Sequence, residues 1–355
     1  MTKTLKEKQF ATRAEAMRQF VDDAGWQGAT LKPLAGDASF RRYERVFHNG
    51  KQAVLMDAPP EKEDIAPFIL VDKYLQSIGL TVPQIIAEDK QNGFLLLEDL
   101  GDDSYTRLLA NCNDATLADQ EKQLYLSAIE ALAHLHNDNI QRPISLNVPE
   151  YNSAALMREL ALFTDWFMPA VINDAAECET LNAEFLALWS QLLAKYPLQN
   201  NVVVLRDYHA DNLLWLPQRE RVNRVGLLDF QDALIGHCAY DMVSLLEDAR
   251  RDVLPQTVEA AIEHYCTLTS CDYDSFMQTY AILGAQRQAK IIGIFVRLGI
   301  RDGKTHYTKF LPRVWGHFMH DLQHPVMADI RDWIEQHIQP QWRGAITLTP
   351  ASAIS

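Results

Sequence analysis

Leu205-Arg206-Asp207-Tyr208-His209-Ala210-Asp211-Asn212, followed by Leu227-Leu228-Asp229-Phe230-Gln231-Asp232-Ala233, is the stretch whose reading decides the fold. The apolar run Val202 to Leu205 predicts a buried strand that delivers Asp207 to a loop, and Val225 to Leu228 predicts a second that delivers Asp229. Between them, Leu213 to Leu216 and the polar turn Pro217-Gln218-Arg219-Glu220-Arg221 complete a hairpin, so the two loops are expected to meet. An Asp, an Asn five residues later and a strand-ending Asp a further seventeen on are the parts that phosphoryl transfer needs. One carboxylate stands beside the attacking hydroxyl, while an amide oxygen and a second carboxylate hold magnesium against a triphosphate. Asp207 is the candidate catalytic residue, and Asn212 and Asp229 are the candidate metal ligands. The competing local reading, in which Asp207 and Asn212 cap a helix and Asp229 starts a turn, leaves both strand ends to coincidence.

These residues resemble the catalytic and metal-binding loops of the aminoglycoside phosphotransferase and choline kinase-like family, relatives of the protein kinases. Arg206-Asp207 matches the Arg-Asp pair of the protein-kinase catalytic loop, with Leu205 where His is usual. Asp229-Phe230-Gln231 matches Asp-Phe-Gly, with Gln for the Gly. Ala239-Tyr240-Asp241 resembles the family's Tyr-Asp, whose carboxylate supports the catalytic loop from below. The resemblance implies an α+β, bilobal protein-kinase-like fold. A small antiparallel-sheet N-lobe would cover residues 1–100, with a hinge at Glu98-Asp99-Leu100-Gly101, and a larger, mainly helical C-lobe residues 101–355.

The rest of the chain has the matching order. Residues 1 to about 28 predict an amphipathic helix with Phe10, Met17, Phe20 and Val21 as apolar contacts. Strand-like runs follow at Ala29 to Leu34, Phe40 to Phe47 and Gln52 to Asp57, with His48-Asn49-Gly50-Lys51 as a hairpin turn. A helix is expected over Asp64 to Ile78, then strands at Ile85 to Glu88 and Phe94 to Glu98 around Lys90-Gln91-Asn92-Gly93. Tyr125 to His136 reads as a helix, and His136 as structural, since no metal-ligand spacing surrounds it.

Leu34-Ala35-Gly36-Asp37-Ala38-Ser39-Phe40-Arg41-Arg42-Tyr43 occupies the turn where a kinase covers the triphosphate. Gly36 permits close backbone approach, and Asp37, Ala38, Ser39 and Phe40 complete the candidate loop. The third strand, Val54-Leu55-Met56-Asp57, lacks the Lys that kinases place there. Arg41 or Arg42 is the candidate replacement; strand alternation points them to opposite faces, so one alone can serve. Adenine is expected to bond main-chain atoms near Glu98 to Leu100.

Together with Lys290-Ile291-Ile292-Gly293-Ile294-Phe295, these stretches are similar to the bacterial anomeric sugar kinases of cell-wall recycling. That resemblance, and no spacing, implies ATP and Mg²⁺ as cofactors and the C1 hydroxyl of N-acetylmuramate and N-acetylglucosamine as acceptor. His209, Asp211 and Asp232 lie close enough in sequence to the loops to contact the sugar. Seven basic residues lie between Ala285 and Trp315, with only Asp302 opposing them. Arg287 and Lys290 share a helix face suited to the lactyl carboxylate of N-acetylmuramate; a solvated basic face is the alternative. A kinase for choline, homoserine or an aminoglycoside stays open, as does a nucleotide-binding pseudokinase regulator, given the missing strand Lys.

Composition bounds the partners. The chain of 355 residues is 48% hydrophobic, enough for a sizeable core in two lobes. A net charge of −14 argues against a general nucleic-acid binder. Five cysteines without a CxxC pair suggest reduced thiols of a cytoplasmic protein. The N-terminus has no apolar export segment, and Ile291 to Val296 is too short to span a bilayer. A monomer with a small-molecule amino sugar substrate, and no membrane or nucleic-acid partner, is expected.

Overall fold

The computed structural model describes residues 12–34, 40–141, 144, 146–344 and 346. The chain forms two compact units. The first takes the chain up to Asp103 and adds Leu214–Asp232; the second takes Ser104–Leu213 and the chain from Ala233 onward. The strands are β1 Thr30–Pro33, β2 Arg42–His48, β3 Lys51–Asp57, β4 Ile85–Asp89, β5 Phe94–Glu98, β6 Val202–Val204, β7 Leu213–Trp215, β8 Val225–Leu227 and β9 Leu234–Gly236.

In the first unit, an antiparallel sheet runs in the order β1-β2-β3-β5-β4. The pairing of His48 with Lys51 makes Asn49-Gly50 a two-residue turn, as expected. Both residues have positive φ, 49° and 75°, the backbone that a type I′ hairpin demands. Helix α1, Arg13–Asp23, starts with a capping box between Thr12 and Glu15. Its Ala16 and Val21, with Met17 and Phe20 beside them, pack on Val46, Ala53, Leu55, Phe94 and Leu96 of the sheet. Fully burying each of Val21, Leu55, Phe94 and Leu96 contributes about 1.5–3 kcal/mol. That outweighs the partly exposed Arg13–Asp57 ion pair, which belongs to a class worth about 1 kcal/mol. The helix expected over residues 1 to about 28 is thus an eleven-residue one among the described residues, and Phe10 falls outside them. Helix α2, Ala66–Ser77, buries Phe68, Ile69, Val71 and Leu75. The β7–β8 hairpin completes the unit, with Thr81 bridging Gly226.

The second unit is helical. It holds α3 Tyr105–Ala110, α4 Asp114–Gln141, α5 Ser153–Leu162, α6 Met168–Val171, α7 Ala175–Lys195, α8 Ala239–Leu246, α9 Pro255–Thr269, α10 Tyr273–Asp302, α11 Leu311–Asp321 and α12 Ala328–His337. The sequence showed only the apolar middle of α4, because its exposed start is polar. Helix α10 is the spine, capped by Asp272 on Ser275 and closed at Gly303. A π turn, Phe163–Phe167, continues α5. A Cβ on Gly293 would sit 2.2 Å from the Leu162 carbonyl oxygen, so glycine is what lets α10 lie against that turn. Phe163, Phe167, Phe185, Trp315 and Phe318 form the aromatic core beside it. Strands β6 and β9 pair antiparallel from Val202↔Gly236 to Val204↔Leu234. The five cysteines are free thiols. Among the described residues, no helix is long and apolar enough to cross a membrane.

Candidate active site

Strand β6 is wholly buried, and Asn139 of α4 accepts a hydrogen bond from Val203 N at 2.7 Å. The chain then turns sharply, and Arg206 adopts φ +69°, a conformation that costs a non-glycine residue about 1–2 kcal/mol. Asp241, in the first turn of α8 and fully buried, offsets that cost. Its two oxygens accept from Leu205 N at 2.6 Å and Arg206 N at 2.8 Å. Burial pushes its carboxyl up to about 7, against the pull of those two donors. This is the support from below that the resemblance implied. Ser244, one turn on, donates to the Arg206 carbonyl at 2.9 Å.

Side chains pin the loop as firmly. Arg206 Nη2 donates to Glu159 of α5 at 2.7 Å, and the same carboxylate receives Lys290 Nζ at 3.0 Å and the Tyr151 hydroxyl. Burial alone would raise Glu159, but Lys290 and Arg206 outweigh it, and its pKa is lowered. Tyr208 OH donates to the Ala128 carbonyl at 2.7 Å. Asn212 Nδ2 donates to the Asp207 carbonyl at 2.9 Å, which fixes the amide and leaves its oxygen as an acceptor. Amid these anchors, the half-buried Asp207 carboxylate has no hydrogen-bond or ion-pair partner among the described residues.

In the first unit, β8 is fully buried and leads to Asp229, at φ +56°. Phe230 is buried against Phe68 of α2, ring centroids 4.9 Å apart. Asp229 is 39% exposed; its Oδ1 accepts from Gln231 Nε2 at 2.8 Å and lies 3.4 Å from Arg41 Nη2. Arg41 also lies 3.5 Å from Glu63, and its side chain is only 10% exposed. Burial lowers its pKa, but Tyr43, Asp229, Glu63 and Asp232 more than reverse that, so the guanidinium stays charged. Arg42 is exposed. Of the two candidates for the missing strand cation, Arg41 is the one beside Asp229.

The remaining expected residues divide as follows. Gly36, Asp37, Ala38 and Ser39 lie outside the described residues. Phe40 is 60% exposed, with Lys62 over its ring. Glu98 pairs with Arg219 at 2.7 Å, and Leu100 approaches Gly226. Asp57, at the end of the strand without a Lys, is bound by Arg13 Nε at 2.8 Å. His209, Asp211 and Asn212 share the Asp207 loop, where Asp211 meets Arg250 at 3.2 Å; the exposed Asp232 belongs to the first unit.

The joint cationic face expected of Arg287 and Lys290 is not what forms. Lys290 is held inside, by Glu159 and by the Tyr240 hydroxyl at 3.1 Å, and Arg287 is buried with Nη2 on Ser244 at 2.9 Å. Further along the same basic stretch, Arg313 pairs with Asp252 and Arg301 with Asp302. For Lys290 and Arg313, distant acids neutralise charges that looked unopposed locally. Sequence reasoning also missed Glu159, Ser244, Asp248 and Arg250. Asp241 and Ser244 stand three residues apart, a spacing that marks one face of α8, and Asp248 follows two residues beyond the end of that helix. His136 is buried and structural, bonded through Nδ1 to Tyr265 OH at 2.7 Å, with burial lowering its pKa to about 3.

Residues 30–278 match the phosphotransferase enzyme family. A relative from Caulobacter vibrioides, named N-acetylmuramate/N-acetylglucosamine kinase, is 33% identical over 365 residues, covering 93% of this chain and 98% of the relative. Among solved structures, the choline kinase LicA from Streptococcus pneumoniae has a TM-score of 0.59 at 14% identity, covering 89% of this chain and 99% of that one. The GDP complex of wild-type aminoglycoside 2'-phosphotransferase-IIIa has 0.60 at 15% identity, covering 87% and 99%. At such identities these two structures speak for the fold, which is the protein-kinase-like α+β fold.

Proposed function

We propose, from the premise that the chain belongs to the phosphotransferase enzyme family, that it is an ATP-dependent kinase of the anomeric C1 hydroxyl of N-acetylmuramate and N-acetylglucosamine. The amino-sugar acceptors follow from likeness to the Caulobacter relative, and a place in peptidoglycan recycling follows from those acceptors. The observation that carries the chemistry is Asp207, an acid left unpaired in a loop whose other members are anchored.

Asp207 accepts a hydrogen bond from the acceptor hydroxyl, orients it and takes its proton late. A carboxylate is a weak base for an alcohol. The loose transition state of phosphoryl transfer asks little prior deprotonation, so positioning does most of the catalysis. An anomeric hydroxyl is more acidic than an ordinary one, which eases the demand further.

Each unit offers magnesium a donor. Asn212, in the second unit, has an amide oxygen with no partner among the described residues, and Asp229, in the first, has a half-exposed carboxylate whose Oδ2 pairs with nothing among them. Both are hard oxygen donors of the kind Mg²⁺ takes alongside phosphate and water. Magnesium held by either residue would supply charge to neutralise phosphate oxygens of the nucleotide. Arg41 is the cation that stands in for the strand Lys, and main-chain atoms at Glu98 to Leu100 hold adenine. The Gly36 to Ser39 turn is assigned to the triphosphate on sequence alone.

The test offers N-acetylmuramate, N-acetylglucosamine, choline and kanamycin to the protein with Mg·ATP, locating the product's phosphate by NMR. Turnover of the two amino sugars with phosphate on C1 is expected. Turnover of choline or kanamycin alone, or phosphate on another hydroxyl, overturns the reading.

A further inference from the structure

Among the buried side-chain polar atoms of the second unit with no hydrogen-bond partner among the described residues are His209 Nδ1, Asp248 Oδ2 and Arg287 Nη1. All three side chains are more than nine-tenths buried, and native interiors pair such groups unless a ligand does. They belong together. One nitrogen of Arg250, Nη1, lies 3.4 Å from His209 Nε2 and 3.6 Å from Asp248 Oδ1. Arg287 holds Ser244, which lies four residues before Asp248 in the sequence. Asp248, Asp207 and Arg287 all act electrostatically on His209.

The proton on His209 can be placed. Its Nε2 faces two donors, Arg250 Nη1 and Asn212 Nδ2, both at 3.4 Å, so Nε2 carries the lone pair and Nδ1 the hydrogen. The unpaired set is therefore one acceptor, Asp248 Oδ2, and two donors, Arg287 Nη1 and His209 Nδ1. A free carboxylate suits the donors and is repelled by Asp248. A protonated amine suits Asp248 and is repelled by Arg287. A secondary amide offers one N–H and a carbonyl oxygen with two lone pairs, which satisfies all three.

We propose that His209, Asp248 and Arg287 form the subsite that reads the acetamido substituent of the acceptor sugar. Asp248 accepts from the amide N–H, and Arg287 and His209 donate to its carbonyl oxygen. This rests on the amino-sugar kinase reading, and the acetamido group is what the two sugars in the relative's name have in common.

The experiment measures kcat/KM for N-acetylglucosamine, glucosamine and glucose, and calorimetric Kd for each sugar without nucleotide. It compares the wild type with Asp248→Ala and Arg287→Lys, the second keeping charge should the first fail to fold. The wild type is expected to prefer N-acetylglucosamine over glucose by about 10²-fold, and each variant to reduce that ratio roughly tenfold or more, chiefly in KM and Kd. An equal loss for all three sugars overturns the proposal and makes the residues structural. So does a wild type that binds the three sugars alike. If no sugar is phosphorylated, yet Kd favours N-acetylglucosamine and the variants lose that preference, the subsite stands and the kinase reading falls.

Discussion

In the helical unit, the residues flanking Asp207 are pinned by short bonds to buried groups far away in sequence, whereas in the sheet-bearing unit Asp229 has one short bond, to Gln231 two residues on, and Arg41 at 3.4 Å. Asp241, Glu159 and Ala128 hold the first loop at 2.6–2.8 Å. Arg41 stands 3.4 Å from Asp229 and 3.5 Å from Glu63, beyond good hydrogen-bond distance. Around that one guanidinium gather Asp229, Glu63 and Asp232, an excess of negative charge. The difference fits the role proposed for each. A residue that orients a hydroxyl works only if placed before the substrate arrives. Residues that meet a cation and a triphosphate complete their charge balance when those ligands bind.

Breaking the pinned side should have the largest effect. Asp207→Asn keeps shape and removes the proton acceptor, so turnover is expected to fall about 10²–10⁴-fold, roughly 3–5 kcal/mol of transition-state stabilisation. ATP affinity and melting temperature should stay near wild type, because this carboxylate bonds nothing that holds the loop. Steady-state kinetics with a thermal melt decide it, and near-normal turnover would remove Asp207 from its role.

Breaking the looser side should show in binding. Asp229→Ala is expected to weaken Mg·ATP by about 10–100-fold, the worth of one charge-assisted contact, while leaving magnesium-free nucleotide affinity unchanged. Titration calorimetry with and without magnesium separates the two. A variant that binds Mg·ATP like the wild type would show that Asp229 is no ligand.

The contrast also explains what the sequence could reveal. Strands, the Asn49-Gly50 turn and the spacing of Asp207, Asn212 and Asp229 are local patterns, set by side-chain alternation and backbone chirality within a few residues. The anchors are not local. Glu159 reaches Arg206 across 47 positions, Arg287 reaches Ser244 across 43, and Arg13 reaches Asp57 across 44. A sequence shows that Arg287 and Lys290 are charged and share a helix face, but not that folding brings Glu159 and Ser244 to meet them. The face shared by Asp241 and Ser244 was legible as a spacing, yet short polar residues at helical intervals ordinarily face solvent.

The smallest effect sharpens the comparison by pH. Burial holds the Asp241 carboxyl up at about 7, above its ordinary 3.8, so the folded state favours its protonated form. Its contribution to stability is full below the ordinary value and is lost as pH rises through about 7. The catalytic loop asks the opposite, since the Leu205 and Arg206 N–H groups bond a carboxylate more strongly than a carboxylic acid. Turnover is therefore expected to rise a few-fold from about pH 6 to about pH 8, while the stability owed to Asp241 declines from about pH 4 to about pH 7. Asp241→Asn cannot titrate. The difference between variant and wild type, in kcat–pH profiles and denaturant midpoints, isolates this group from the other buried acids and histidines. If the two proteins show parallel profiles, the charge on Asp241 is not what holds the loop, and the pinning must reside in Glu159, Ser244 and Tyr208 alone.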